Sequence, residues 1–364
     1  MDEKIVLFGA GQRMERMIGL IEKYGGFEVV EIWDNNVRLW GEAVKINGQD
    51  VPVRQPHKGA EHNIVIVTDI YYREIEKQLI QVLGIGQWQI KPSNHLLKNF
   101  KADILEQYGR STDKDIQEIC EYLQNHELDM FNGQVKKEYS GDMFDIYRDE
   151  GNGLLYSYWG TKKIYLASTI KNELIAKDYL CSLCKEQDED SPHCYGMDLL
   201  DMKCSDVVID GGAAEGFFSL QIIDKVKKVY LIEGDGKWVE ALKCTFEPYR
   251  HKVEIIPKWL GDRAEEGMVT LDEIGLSDEI TVVKLDIEGA EARALEGGKG
   301  LFSSDRPMTA IVCTYHETED AEAFEEYFKE KGFCTRFSKG YLFVDGLDTI
   351  KAELRKGVLC AYRE

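Results

Sequence analysis

Between residues 207 and 362, seven short apolar runs alternate with segments of helical spacing, and this alternation limits the fold more than any other feature. The runs are Val207–Ile209, Lys228–Ile232, Val253–Ile256, Thr281–Leu285, Thr309–Thr314, Tyr341–Val344 and Val358–Tyr362. Strands buried on both faces read as continuous apolar stretches of this length. Separated by helices, they predict an α/β fold with a doubly wound seven-stranded sheet, which takes its ligand beyond the carboxyl ends of its strands.

A smaller α/β unit opens the chain. The run Ile5–Phe8, the turn Gly9-Ala10-Gly11, and Met14, Met17, Ile18 and Ile21 at helical spacing read as strand, turn and helix. A second run, Phe27–Trp33, ends in Asp34, and Ile64–Val67 precedes a helix carrying Ile75, Leu79 and Val82 on one face. Residues 1–95 thus read as a Rossmann-like domain. Ile116, Ile119, Cys120 and Leu123 recur as one helical face, which predicts a helical connector over 96–138. Three runs between glycine-rich turns, Met143–Arg148, Leu154–Trp159 and Lys163–Ala167, predict an antiparallel meander leading into the last domain, 139–364.

Charge narrows the partners. Sixty-six acidic residues against 45 basic ones leave a net charge of −21 over 364 residues. Nucleic-acid binding needs lysines and arginines that displace counterions, and there is no basic stripe beyond pairs such as Lys136-Lys137 and Lys227-Lys228. No nucleic-acid partner is expected. No apolar run approaches the ~18 residues of a membrane span, and the amino terminus is acidic, so a cytoplasmic protein without a membrane partner is expected. Nine scattered cysteines suggest reduced thiols. Cys181 and Cys184, with His193, Cys194 and Cys204, lack zinc-site spacing and suit a buried helix face.

Each α/β unit begins with a glycine turn. In the first, Gly9-Ala10-Gly11-Gln12-Arg13-Met14 matches two glycines of the dinucleotide fingerprint and has Met14 in place of the third. Asp34 stands where an acid would bind a ribose. An NAD(P)-dependent oxidoreductase is the alternative this leaves open, although a turn that only shapes a docking module is the commoner case. The second turn, Asp210-Gly211-Gly212-Ala213-Ala214-Glu215-Gly216, is flanked by carboxylates that would repel a pyrophosphate. A cofactor with a cationic amino-acid end and no phosphate fits better, and S-adenosylmethionine is such a molecule. Gly211 and Gly212 would admit it, with Ala213 and Gly216 in the same turn. Asp210 would hold its ammonium directly or through water. Glu233, 23 residues on and followed by Gly234, would accept both ribose hydroxyls. After the third strand, Trp259 and the Leu260 amide would read the adenine, unless Trp259 is a core aromatic.

The catalytic candidates cluster at the next two strand ends. Lys284-Leu285-Asp286-Ile287-Glu288-Gly289-Ala290-Glu291 places three acids and a lysine at one, and Thr314-Tyr315-His316-Glu317 brings a histidine to the other. His316 is the candidate general base, with Asp286 or Glu288 orienting it or binding the acceptor, and Asp286 is also a cofactor contact. Asp286, Glu288 and His316 could form a divalent-metal site, but no compact ligand spacing supports one and no metal is expected. The acidic stretch Glu186–Asp190 reads as a lid, which makes Asp188 and His193 candidate acceptor contacts and His193 a second candidate base.

From about Asp206 to Phe333 these residues resemble the FkbM-type methyltransferases. The resemblance rests on the Asp210–Gly216 turn, on Glu233, and above all on the string from Lys284 to Glu291 followed by Leu295-Glu296-Gly297. Ala214 stands where the family often has Asn, and Gly234 where it often has Pro. The resemblance implies the class I methyltransferase fold, S-adenosylmethionine as cofactor, and methylation of a hydroxyl on a small-molecule acceptor such as a sugar. A non-catalytic scaffold would keep both folds but would not need Asp286, Glu288 and His316 together.

Overall fold

In the computed structural model, which describes residues 2–68, 71–196, 202–275, 279–345 and 352–364, the run Ile5–Phe8 lies in strand β1 (Glu3–Phe8) with all four side chains buried. The chain continues through α1 (Gln12–Tyr24), β2 (Phe27–Trp33), β3 (Ala43–Ile46), β4 (Gln49–Arg54), β5 (Asn63–Ile66), α2 (Tyr72–Gln81), β6 (Ile90–Pro92), α3 (Lys98–Tyr108) and α4 (Lys114–Leu123). The sheet order is β3-β4-β2-β1-β5-β6, parallel except for the β3–β4 hairpin. Helix α1 buries Met14, Met17, Ile18 and Ile21, as their spacing predicts. It ends at Gly25, whose φ of 65° lets its N–H bond the Ile21 carbonyl. Helix α4 starts at Asp113, whose carboxylate accepts the N–H groups of Asp115 and Ile116. Met1–Gly133 and Phe343–Leu354 group into one unit. Residues 96–133, expected as part of a separate connector ending at 138, therefore pack with the first domain.

The second unit is Gln134–Leu342 with Arg355–Glu364. It opens with the antiparallel meander β7 (Tyr147–Arg148), β8 (Leu155–Trp159) and β9 (Lys162–Tyr165). The first of these is shorter than its apolar run, because Gly141–Met143 forms a 3-10 turn. Helix α5 (Glu173–Glu186) is capped by Asn172, which accepts the Ile175 N–H at 3.0 Å. Strands and helices then follow: β10 (Val207–Gly211), α6 (Phe217–Ile222), β11 (Lys228–Ile232), α7 (Gly236–Thr245), β12 (Val253–Ile256), β13 (Trp259–Leu260), β14 (Met268–Val269), α8 (Leu271–Gly275), β15 (Val282–Leu285), α9 (Glu291–Glu296), α10 (Lys299–Phe302), β16 (Met308–Cys313), α11 (Asp320–Glu330) and β17 (Cys334–Phe337); β18 (Leu342–Asp345) and β19 (Ala352–Arg355) fall, but for Leu342 and Arg355, in the first unit, and β20 (Val358–Arg363) completes the second.

The large sheet has the order β12-β11-β10-β15-β16-β20-β17, and only β20 runs against its neighbours. One apolar layer, including Phe217, Val229, Leu242 and Ile311, covers one face, and another, including Ile209, Val283, Leu295 and Phe328, covers the other. Strand order reverses between β10 and β15, which opens a crevice at their carboxyl ends. Six of the seven expected strands lie in this sheet. The seventh expectation, Tyr341–Val344, fails: Leu342–Asp345 pairs with β19 in a two-stranded sheet of its own, and Cys334–Phe337 takes the edge position. An edge strand paired only with β20 and exposed on alternate residues needs no apolar run, so its sequence carries little strand signal. Among the described residues, no helix is long and apolar enough to cross a membrane.

In the first unit Glu3 accepts the Asn63 amide at 2.9 Å and pairs with His95 at 2.9 Å and Lys98 at 3.2 Å. Burial alone would raise its carboxyl, but these three partners outweigh it and hold the pKa at about 2. The stabilisation is therefore complete above the ordinary carboxylate pKa of about 4.5 and is lost as pH falls toward about 2. Glu3→Gln should cost about 1–2 kcal/mol in urea denaturation at pH 7 and flatten the acid limb of the stability profile.

Candidate functional site

The crevice begins with a buried ion pair. Asp210 and Lys284 are directly paired across β10 and β15, and the Lys284 ammonium lies 3.1 Å from Asp210 Oδ1. Ser219 Oγ donates to Asp210 Oδ2 at 2.6 Å. Lys284 also donates to the carbonyls of Gly212 at 2.8 Å and Gly211 at 3.3 Å, so one ammonium ties the carboxylate to the turn. Burial pushes this lysine toward neutrality, but Asp210 and Asp286 keep it charged, with a pKa above the ordinary lysine value. Asp210, expected to hold a cofactor ammonium directly or through water, has a side chain only 1% exposed and paired with Lys284.

The glycines are required by contact. Gly212 has a φ of 69°, and a Cβ there would stand 1.8 Å from the Asp286 carbonyl. At Gly211 a Cβ would meet Leu260 Cδ1 at 2.6 Å, and at Gly216, with φ 80°, it would meet the Phe246 ring. Leu260 and Ala213 are buried around the turn. Ala214 holds a left-handed φ of 45°, a conformation in which Asn is easier than Ala. Its N–H donates to Glu233 Oε2 at 2.9 Å, while Oε1 accepts the Asp235 N–H at 2.8 Å. Gly234 lies against the Trp259 indole, which a Cβ would overlap at 2.0 Å. Trp259 is 58% exposed and so is no core aromatic. The apolar run of the third strand stops at Ile256, and Trp259–Leu260 forms a short parallel pair with β14.

Asp286 follows β15, and its N–H donates to the Gly211 carbonyl at 3.2 Å. Tyr195 donates to its Oδ2 at 2.6 Å and Tyr315 to its Oδ1 at 3.3 Å. Burial would raise this carboxyl, but His193, Lys284, His316 and the Tyr195 hydroxyl hold it down at about 2. His193 is buried, 3.0 Å from Tyr315 Oη and 3.6 Å from Asp286 Oδ2. Burial drives its imidazole below the ordinary pKa, aided by Lys284 and His316 and opposed by Asp286. His316 Nε2 lies 3.7 Å from both Asp286 Oδ1 and Glu288 Oε2, and its Nδ1 lies 3.1 Å from Glu291 Oε1. Glu288 and Gly289 are both left-handed, at φ 57° and 89°, which turns the chain sharply into α9 and leaves the Glu288 carboxylate largely exposed.

His193, Asp286, Glu288 and His316 are thus brought together, and Asp188 is not. Asp188 accepts the Tyr139 hydroxyl at 2.5 Å and the Asp190 N–H at 3.0 Å, which builds a turn. The rest of the expected acidic lid divides the same way, with Glu186 alone under the influence of the site. Burial, then Glu215, Asp286 and Glu288, push its carboxyl up to about 8. Sequence reasoning gives no role to Tyr195 or Tyr315, and names Glu186 and Glu291 only within the acidic stretch and the Lys284–Glu291 string. Glu291 lay inside the diagnostic string, whereas Tyr195 follows a charged stretch with no pattern to mark it. Cys181 and Cys184 are buried on α5, as their spacing predicts. In the first unit Asp34 accepts the N–H groups of Ala10 and Asn36, each at 2.7 Å, so its carboxylate shapes the first glycine turn.

Residues 212–334 match the family model described as methyltransferase FkbM domain, and residues 1–90 match one described as C2185-like, N-terminal. No curated protein matches the chain. Similar solved structures include a precorrin-6Y C5,15-methyltransferase from Geobacter metallireducens, at 12% identity over 46% of this chain and 86% of that one, with a TM-score of 0.33. An rRNA methylase from Streptococcus thermophilus shares 12% identity over 47% of this chain and 92% of its own, with a TM-score of 0.31.

Removing Lys284 should strand Asp210 as a buried, uncompensated charge. Lys284→Met is expected to cost about 3–5 kcal/mol in chemical denaturation, and the double change with Asp210→Asn should recover a large part of that loss.

Proposed function

We propose that the chain, whose residues 212–334 match the FkbM methyltransferase domain, is an S-adenosylmethionine-dependent methyltransferase that methylates a hydroxyl of a small-molecule acceptor such as a sugar. We assign the methyltransferase domain to 139–364, with the meander as its lead-in. The observation that carries the reading is the match of residues 212–334 to the FkbM methyltransferase domain, on a crevice where the Gly211–Gly216 turn adjoins Asp286.

The residues at the turn fit the cofactor. Gly211 and Gly212 leave the space a Cβ would fill, and Ala213 and Gly216 complete the curve. Glu233 has one backbone N–H on each oxygen and keeps lone pairs for two ribose hydroxyls. Trp259, exposed beside Gly234, offers a face for the adenine, with Leu260 beneath. Bound there, the cofactor supplies a methyl group on a sulfonium, an electrophile that needs no further activation. The protein must align the acceptor oxygen with it and exclude water.

An alcohol is a weak nucleophile at neutral pH, so its proton must leave as the new bond forms. We assign activation of that hydroxyl to His316 with Asp286 and Glu288, and orientation of the acceptor to His193 together with Tyr195 and Tyr315. The site's surroundings favour a neutral or cationic acceptor over a nucleic acid, because Asp286, Glu288 and Glu291 cluster there and Lys284 is committed to Asp210. All nine cysteines are free, which suits the cytoplasm.

Calorimetric titration should show binding of S-adenosylmethionine and none of NAD; NAD binding alone would overturn the reading. Glu233→Ala should weaken S-adenosylmethionine by roughly tenfold or more while the fold is kept. His316→Ala should leave that affinity unchanged and lower kcat by about 10²–10⁴-fold. The acceptor would be found by mass-spectrometric screening of sugars and small alcohols for the gain of one methylene.

A further inference from the structure

We propose that Asp286, Glu291 and His316 bind one divalent cation of the Mn2+ type at the acceptor end of the crevice, and that the ion polarises the acceptor hydroxyl. Its role in catalysis rests on the methyltransferase reading above; its binding does not.

One ligand atom from each of these residues lies within 4.8 Å of the others, a spacing that one ion with bonds of about 2.0–2.3 Å can span. Two of the three are buried without the partners that burial demands. Glu291 is 0% exposed, and its Oε2 has no hydrogen bond. The His316 side chain is 9% exposed, and neither ring nitrogen has an aligned hydrogen bond, although Nδ1 lies 3.1 Å from Glu291 Oε1. Buried carboxylate and imidazole atoms are ordinarily paired, because leaving them unpaired costs the full desolvation penalty.

The supporting contacts hold the ligands in place. Glu291 Oε1 accepts the Ile287 N–H at 2.7 Å and faces His316 Nδ1 at 3.1 Å, while the buried Oε2 has no hydrogen bond. Asp286 Oδ2 accepts Tyr195 at 2.6 Å, and Oδ1, which accepts Tyr315 at 3.3 Å, lies 3.7 Å from His316 Nε2. Outer partners of this kind orient ligating carboxylates. Charge points the same way: Asp286, Glu288 and Glu291 surround one imidazole, and the neighbouring ammonium of Lys284 is paired with Asp210. A second grouping, His193, Asp286 and Cys313, shares Asp286, but its histidine already bonds Tyr315. Two carboxylates and one imidazole, without thiolate, suit a cation that prefers oxygen and tolerates nitrogen.

Three protein ligands leave open positions, one of which would take the acceptor oxygen. The hydroxyl proton then passes to Glu288, whose carboxylate is 88% exposed, and on to solvent. The oxygen–methyl bond forms as the carbon–sulfur bond breaks, the sulfonium becomes a neutral thioether, and one proton is released. His316 activates the hydroxyl as a ligand of the ion.

The test uses the full chain, stripped with a chelator and titrated with Mn2+ alone, with bound ion read by electron paramagnetic resonance. The expected result is one tight site per chain, with nitrogen modulation from an imidazole. His316→Ala and Glu291→Gln should weaken it by at least about tenfold, whereas the exposed Glu254→Gln should not. Weak binding at many surface acids, equal in all variants, or tight binding without imidazole nitrogen, overturns the proposal. The nitrogen signal is read on the wild-type chain, so a variant that fails to fold does not remove the test. Separate titration with S-adenosylmethionine keeps the two readings apart: its failure with Mn2+ binding intact overturns the methyltransferase reading, and the reverse overturns only the metal.

Discussion

The Asp210–Lys284 ion pair is the interaction on which the second unit's crevice depends. It lies between the two central strands, at the point where strand order reverses, and its ammonium also holds the carbonyls of Gly211 and Gly212. A glycine turn alone has many conformations. With Lys284 gripping two of its carbonyls and Ser219 fixing the carboxylate behind, it has one. Asp286 sits two residues beyond Lys284 on the same segment, so the pair that shapes the glycine turn also sets the height of Asp286. Burying both charges carries a desolvation cost that their attraction barely offsets, and the return is therefore in geometry more than in stability.

Both units solve the same backbone problem in the same way. At the end of the second strand of each sheet an acid accepts an N–H from the preceding glycine turn: Asp34 from Ala10, and Glu233 from Ala214. That bond is a property of the strand–turn–helix–strand unit, and by itself it does not distinguish a nucleotide site from a structural corner. The second unit differs at the following strand ends, where Asp286 and His316 converge with two tyrosines and His193.

Most of the large sheet was legible because buried parallel strands announce themselves as apolar runs. Cys334–Phe337 escaped because an edge strand can be polar on one face, and Tyr341–Val344 misled because its apolar residues serve a separate two-stranded sheet. Trp259 could not be assigned from its neighbours, since an aromatic after a strand is equally at home in a core or on a rim; its exposure depends on Gly234 making room beside it. Asp210 was read as a ligand contact because its charge was visible and its partner across the sheet was not. Asp188 looked like part of a lid because charge is visible and a turn closed by Tyr139 is not.

By itself, the sequence determined the α/β alternation, the glycines that no other residue could replace, and the acids at the strand ends. These follow from local rules: strand burial, positive φ and like-charge repulsion act between residues close in the chain. The tertiary structure decided which acids face the crevice and which are spent. Asp210 turns inward to Lys284, 74 residues away, and Glu291 turns to His316 from another element. Partnership between charges is set by distance in space and by loss of water, neither of which is ordered along the chain.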